Sequence, residues 1–266
     1  MVDPLANLYG IRAMAQLDPK QGEREYYARV GEAEIQRAFG KPFTDRKCEW
    51  DLGNITAIFH LIGEPPGRII ELGCGVGWLS IMLARRGFDV VGVDISPDAI
   101  AAGEAQRDAL GLSRLDFQVA DYENLEADDA SFDAAIFFSS LHHAEDEAAA
   151  MRNAYRILKP NGTLIAFEPG TGHGGTESSR KAVQEFGVHE KDMPIAKIIA
   201  LGDQAGFRRH LKLPEPWDFL RTVYRPSYAK ATSSGDLRNR FRLGVFRAFR
   251  RFFFQREDQS FVVLWK

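Results

Sequence analysis

The chain has 266 residues, with 34 Lys and Arg against 37 Asp and Glu and a formal net charge of −3, a balance that gives no bulk attraction for nucleic acid. Its apolar share of 45% and aromatic share of 11% suit a globular chain with a sizeable core. Two cysteines, Cys48 and Cys74, are too few for a disulfide framework; with no leader pattern and no apolar run of roughly 18 residues, a cytoplasmic protein is expected.

Residues 1–62 read as helix and loop, an N-terminal helical cap. Tyr27, Val30, Ile35 and Phe39 recur at near-helical spacing, as do Ile55, Ile58, Phe59 and Ile62 before the break at Pro65-Pro66-Gly67. Tyr9, Arg12, Tyr26, Tyr27 and Trp50 are this segment's candidates for lid or acceptor contacts.

Residues 63–266 change rhythm and predict one α/β domain. Ile69 to Leu72 is a short apolar strand before glycines. Trp78 to Arg86 is an amphipathic helix stopped by Gly87, and Val90, Val91 and Val93 mark a buried parallel strand ending at Asp94. Ser96 and Pro97 are an N-cap and first helical residue for a helix running towards Gly111. Leu115 to Val119 and Phe132 to Phe138 are the next strands. A helix over Glu145 to Leu158 closes at Lys159-Pro160-Asn161-Gly162, and Thr163 to Glu168 is the fifth strand. Helices near Glu177 to Phe186 and Pro194 to Ala205 follow. Phe207 to Leu213 and Phe261 to Trp265 complete seven strands, with an insertion over residues 214–258 between them. Strands alternating with helices predict a doubly wound, mostly parallel sheet.

Glu71-Leu72-Gly73-Cys74-Gly75-Val76-Gly77 ends the first strand and opens a helix. Glycines there let the backbone turn tightly under a ligand. The spacing differs from the Gly-x-Gly-x-x-Gly of dinucleotide binders. Asp94 ends the second strand, Ala120-Asp121-Tyr122 follows the third, and Leu158 to Leu164 joins a helix to the fifth. In this order and spacing, residues 68–168 resemble the class I S-adenosylmethionine-dependent methyltransferases, whose fold is Rossmann-like.

The resemblance implies a role for each matching residue. Gly73 and Gly75 underlie the methionine and ribose of S-adenosylmethionine. Glu71 steadies that loop or the cofactor's amino group, and Asp94 holds the ribose hydroxyls. Ile95 lies on the adenine face, and Asp121 accepts from the adenine amino group with Tyr122 beside it. Cys74, Gly77 and Ser139 complete the set. Three strand-end carboxylates suit a cationic cofactor with no phosphate better than they suit a pyrophosphate.

Methyl transfer from a sulfonium is mainly a positioning problem, helped by a general base when the acceptor is an alcohol. Ser139-Ser140-Leu141-His142-His143 follows the fourth strand and brings two histidines to the carboxyl edge of the sheet. His142, His143 and Glu168 are the catalytic candidates, with His142 marginally ahead. Their alternative roles are to shape the pocket or, for Glu168, to fix the Gly170 to Gly175 loop. No metal site is expected. Residues 168–173 and 186–194, with His173 and His189, resemble a branch of the family tied to bacterial surface-polysaccharide and glycolipid assembly. That likeness implies O-methylation of a saccharide, lipid-linked in one form. Nitrogen or carbon acceptors and a non-catalytic cofactor-binding subunit are the alternatives; a nicotinamide oxidoreductase fits the glycine spacing less well.

In the insertion, Leu237 to Arg256 predicts a basic helix. Phe241, Val245, Phe249 and Phe252 share one face, and Arg238, Arg242, Arg247 and Arg250 are among its cations. Such a helix either lies on an anionic membrane or packs its phenylalanines into the core with the arginines as a rim. The core reading is preferred.

Overall fold

The computed structural model describes residues 19–254 and 258–266. Tyr9, Arg12 and Arg256 therefore lie outside the described residues. The cap holds three helices: α1 (Pro19–Val30), α2 (Glu32–Phe39) and α3 (Cys48–Ile62). The stretch from Tyr27 to Phe39 is broken between α1 and α2 at Gly31, whose φ of 80° ends the first helix.

The sheet then alternates with helices: β1 (Arg68–Leu72), α4 (Trp78–Arg86), β2 (Asp89–Asp94), α5 (Pro97–Ala109), β3 (Leu115–Val119), β4 (Phe132–Phe138), α6 (Glu147–Ile157) and β5 (Leu158–Pro169). After them come α7 (Glu177–Phe186), α8 (Ile195–Ala205), β6 (Arg209–Leu213), α9 (Pro216–Val223), α10 (Ser234–Phe254) and β7 (Gln259–Trp265). The seven strands lie in the order β3-β2-β1-β4-β5-β7-β6, with β7 antiparallel to both its neighbours.

Both faces of the sheet are buried, so its central strands are apolar throughout. Successive residues of β1 feed different layers. Ile70 packs with Val91, Val93, Phe137 and α6, whereas Ile69 packs with Val90, Ile136, Phe167 and α4. The Ser96 cap forms as expected, its Oγ accepting from the N–H of Ala99 at 3.4 Å. Asp146 caps α6 in the same way, which starts that helix two residues later than its sequence pattern suggests.

Lys159-Pro160-Asn161-Gly162 does not stand outside the sheet. β5 begins at Leu158, which pairs with Phe132, and the register slips before Thr163 pairs with Ala134. Asn161 takes the slack with a φ of 64°.

The insertion forms α9 and α10. The face of α10 that packs is small, at Gly244 and Ala248, the latter 5% exposed. Phe241, Val245, Phe246 and Phe249 are exposed, which corrects the reading of these phenylalanines as core. Two small residues one turn apart let the helix seat closely, so its bulky side chains point outward.

Candidate functional site

The loop after β1 is clamped by backbone. The N–H groups of Gly73 and Cys74 both donate to the Val93 carbonyl, at 2.8 and 2.9 Å. Gly73 has a φ of 75°, and a Cβ there would stand 2.6 Å from that of Ser140. Gly77 has a φ of 81°, and its Cβ would meet the Phe117 ring at 2.2 Å. Gly77 thus lets α4 approach β3 and is not among the residues that line the two cavities described below. Cys74 borders the larger cavity described below, while its side chain packs in the core and burial pushes its thiol pKa well up.

Asp94 sits at the end of β2. Its Oδ2 accepts from Gly75 N–H at 2.8 Å and its Oδ1 from Ser96 N–H at 2.9 Å. Burial raises its pKa against those two donors. Asp121 accepts from Glu123 N–H at 2.9 Å and from the Lys20 ammonium at 2.5 Å. Burial alone would raise the Asp121 pKa, but Lys20 and the backbone donor hold it below the usual value. Lys20, on α1, also stands 3.1 Å from Glu123. No local sequence pattern marks Lys20 for this contact, made across 101 residues.

Glu71 is buried and accepts from the Ser80 hydroxyl at 2.5 Å, so it ties the loop to α4. Burial drives its pKa to about 8 despite that bond. Tyr122 donates its hydroxyl to the Ser140 carbonyl at 2.9 Å. Ser139, in a left-handed conformation with φ 52°, donates its N–H to the Phe167 carbonyl at 2.7 Å.

The candidate catalytic groups separate. Glu168 is wholly buried and accepts from the N–H groups of Ser140 (3.0 Å), Leu141 (2.9 Å) and His142 (3.3 Å). Nδ1 of His142 donates to the same carboxylate at 2.8 Å. Glu168 is therefore the anchor of the turn after β4, and not of the Gly170 to Gly175 loop. His142, 4% exposed, is kept neutral by burial and by His143, which lower its pKa. Neither His142 nor Glu168 is among the residues that line the two cavities described below.

His143 does line a cavity, 3.1 Å from Oε1 of Glu23 on α1. Burial would lower its pKa, but the Glu23 carboxylate outweighs that and raises it to about 9. Glu23 also accepts from the N–H of His189 at 3.0 Å. His173 pairs with Glu190 at 2.5 Å, and Glu190 lies 3.8 Å from His142. His142, His143 and Glu190 bring ligand atoms within 4.8 Å of one another and could take a metal ion. The sequence around Glu23 and Glu190 carries no mark of these contacts, because their partners are remote along the chain.

Two cavities meet over the glycine loop. One, of about 280 Å³, is lined by Asp94, Ile95, Asp121, Tyr122, His143 and Glu23 among others. The other, of about 380 Å³, is lined by Glu71, Asp51, Trp50, Trp78, Phe138 and Lys41 among others. Gly73, Gly75, Ser139, Tyr26 and Tyr27 border both. The Tyr27 hydroxyl stands directly over Gly75.

Residues 70–166 match a family model described as a methyltransferase domain. Among curated proteins, the ubiquinone biosynthesis O-methyltransferase of Azorhizobium caulinodans is 36% identical over 98 residues, 37% of this chain and 38% of that protein. The S-adenosyl-L-methionine-dependent Diels-Alderase iccD of Talaromyces variabilis is 38% identical over 104 residues, 38% of this chain and 36% of that one. The chain thus spans about two fifths of the length of these relatives. Among solved structures, Haemonchus contortus phosphoethanolamine N-methyltransferase 2 in complex with S-adenosyl-L-methionine superposes with a TM-score of 0.64 at 21% identity, over 91% of this chain and 59% of that one. The [4+2]-cyclase SpnF gives 0.55 at 19% identity, over 82% and 80%. The fold is the Rossmann-like class I methyltransferase fold, and residues 70–166 are the part that matches the methyltransferase-domain model.

Proposed function

We propose that this protein binds S-adenosylmethionine over the Gly73–Gly75 loop and transfers its methyl group to a small-molecule acceptor, in the first place to a hydroxyl. The observation that carries the reading is Asp94: a strand-end carboxylate on the cavity, braced by Gly75 N–H and Ser96 N–H so that it faces a ligand lying across the glycines. Asp94 holds the ribose hydroxyls, Ile95 and Tyr122 flank the adenine, and Asp121 receives its amino group once Lys20 gives way. The cradle fits: a Cβ at Gly73 would fill it, and its carboxylates favour a cation. The bound sulfonium supplies an activated methyl; the chain supplies position and dryness.

His143 carries a proton at neutral pH beside Glu23, so it acts as a hydrogen-bond donor in the site rather than as a base. Oxygen as the acceptor atom is supported by relatives named O-methyltransferase. A saccharide, free or lipid-linked, is one acceptor class for a cavity of this size and phenols are another. The test is calorimetric titration with S-adenosylmethionine, S-adenosylhomocysteine and NADH. Binding of the two adenosyl compounds and none of NADH is expected; the reverse pattern defeats the reading.

A second reading has its own observation. The relative iccD is named as a Diels-Alderase, so this domain sequence also serves proteins whose named reaction is not methylation. Transfer of isotopic methyl from the cofactor to a small-molecule product separates the two.

The acceptor side has a membrane aspect. None of the described helices is long and apolar enough to cross a membrane, but α10 exposes Phe241, Phe246 and Phe249 among Arg238, Arg242, Arg247 and Arg250. This combination suits peripheral contact with an anionic surface. Sedimentation with anionic vesicles, and none with neutral ones, is the expected result; equal failure with both removes the contact.

A further inference from the structure

Three histidines and three carboxylates from separate parts of the chain meet behind the turn after β4. Glu168 binds His142, Glu190 binds His173 and stands beside His142, and Glu23 stands beside His143. The side chains of Glu168, Glu190 and Glu23 are only 0, 13 and 19% exposed, so water does little to balance their charge. Among the described residues, the ion pairs of these acids are all with histidines and none is with a lysine or arginine.

The hydrogen bonds fix how His142 is turned. Glu168 already accepts from three backbone N–H groups, so Nδ1 of His142 carries the hydrogen shared with it. The neutral ring then keeps a lone pair on Nε2, which stands 3.8 Å from Oε2 of Glu190. Two acceptors at that distance are too far apart for a hydrogen bond and are suited to share a cation. Beside them, Nδ1 of His143 is buried and makes no hydrogen bond, although Oε1 of Glu23 lies 3.1 Å away. The rings of His142 and His143 lie 4.0 Å apart. His142, His143 and Glu190 each offer one ligand atom, and these atoms lie within 4.8 Å of one another. A contraction of about an ångström seats one ion at ~2.1 Å from all three.

Each of the three is also braced from behind: His142 by Glu168, Glu190 by His173 at 2.5 Å, and His143 by Glu23. Metal-ligating histidines characteristically give their other ring N–H to a carboxylate, as His142 does here. No metal was expected from the sequence, where Glu190 is remote from the histidine pair.

We propose that His142, His143 and Glu190 bind a divalent first-row transition-metal ion such as zinc. This does not rest on the methyltransferase reading. Two imidazoles and a carboxylate suit such an ion, whereas magnesium and calcium favour shells of oxygen. His143 and Glu190 line the smaller cavity and His142 does not, so the ion's remaining positions open towards that cavity. Three protein ligands with an open side mark a site that exchanges ligands, unlike a closed structural one. In the metal-free chain His143 keeps its proton beside Glu23; the ion takes the place of that proton, which leaves to solvent.

The test uses the full chain without an affinity tag, stripped with a chelator. Cobalt(II) is titrated while its visible d–d absorption is followed, and zinc(II) is titrated by calorimetry. About one equivalent of each should bind, zinc should displace cobalt, and magnesium should compete with neither. Glu190→Gln and His143→Gln should each weaken binding about a hundredfold. His173→Gln should weaken it about tenfold, through loss of the brace on Glu190. His210→Gln, at an exposed position of β6, should change nothing. Circular dichroism of the metal-free variants checks that they fold, and His173→Gln carries the test if the two ligand variants do not. Weak binding of several equivalents without a cobalt spectrum overturns the proposal. So does stoichiometric binding that the Glu190, His143 and His173 variants leave intact, which puts the ion elsewhere. Neither outcome depends on whether S-adenosylmethionine binds.

Discussion

The two sides of the site are held together over different distances along the chain. On the cofactor side, Gly73 and Cys74 reach Val93, Asp94 reaches Gly75 and Ser96, and Asp121 reaches Glu123. Each of these bonds is donated by a backbone N–H to a partner near in sequence. On the side covered by α1, Lys20 meets Asp121 across 101 residues, Glu23 meets His189 across 166, and Arg29 meets the Phe186 carbonyl across 157. These bonds are made by side chains on α1 and form only once the whole chain is folded. The first kind leaves a local signature in the sequence, because particular residue types are needed at fixed spacing. The second leaves almost none.

The largest effect should come from breaking the local side at a residue that touches no ligand. Gly77→Ala places a methyl 2.2 Å from the Phe117 ring in a backbone with φ of 81°. Overpacking and left-handed strain together should cost ~3 kcal/mol. Urea denaturation should show that loss, with cofactor affinity of the folded fraction near wild type. A stable variant with lost affinity would return Gly77 to the cofactor set and narrow the contrast drawn above.

Next in size is Asp94→Ala. It removes the group assigned to the ribose and leaves the N–H groups of Gly75 and Ser96 without their acceptor. Affinity for S-adenosylmethionine should fall about a hundredfold, or ~2.7 kcal/mol. Calorimetry showing unchanged affinity would mean that Asp94 only braces the loop.

The sequence was legible where geometry is local. α4, β3, β4 and α7 fall on the residues their patterns predict; Gly77 and Gly87 bound α4 and Thr176 caps α7. Glu71, Asp94 and Asp121 all reach the cavities. Legibility failed where partners are distant. Nothing near His142 or His143 shows that Glu168 would bury one and Glu23 would charge the other. Nothing near Asp51 shows an aromatic cavity assembled from α3, α4 and β4. The α10 phenylalanines failed for another reason: amphipathic spacing defines a face but not what covers it.

The smallest effect tests the distant side through pH. His143 has a folded-state pKa of about 9, raised by Glu23 above its ordinary 6.5. The folded state thus holds this proton more tightly than the unfolded chain does. The pair's contribution is complete below about pH 6.5 and is lost as the pH rises through about 9. Glu23→Gln keeps an oxygen for the His189 N–H but removes the charge. At pH 6 the variant should be less stable than wild type by ~1 kcal/mol, discounted from the full shift because His143 is 27% exposed. Above pH 9 the two should converge, and His143 should titrate near its ordinary value in the variant by NMR. Since Glu23 sits on α1 with Lys20 and Tyr27, loss of the pair should also loosen α1 over the cavity and raise hydrogen exchange along it. A stability difference that ignores pH would mean that α1 is seated by packing alone. The α1 side would then be as insensitive to charge as the glycine loop, and the two sides would differ only in how far along the chain their contacts reach.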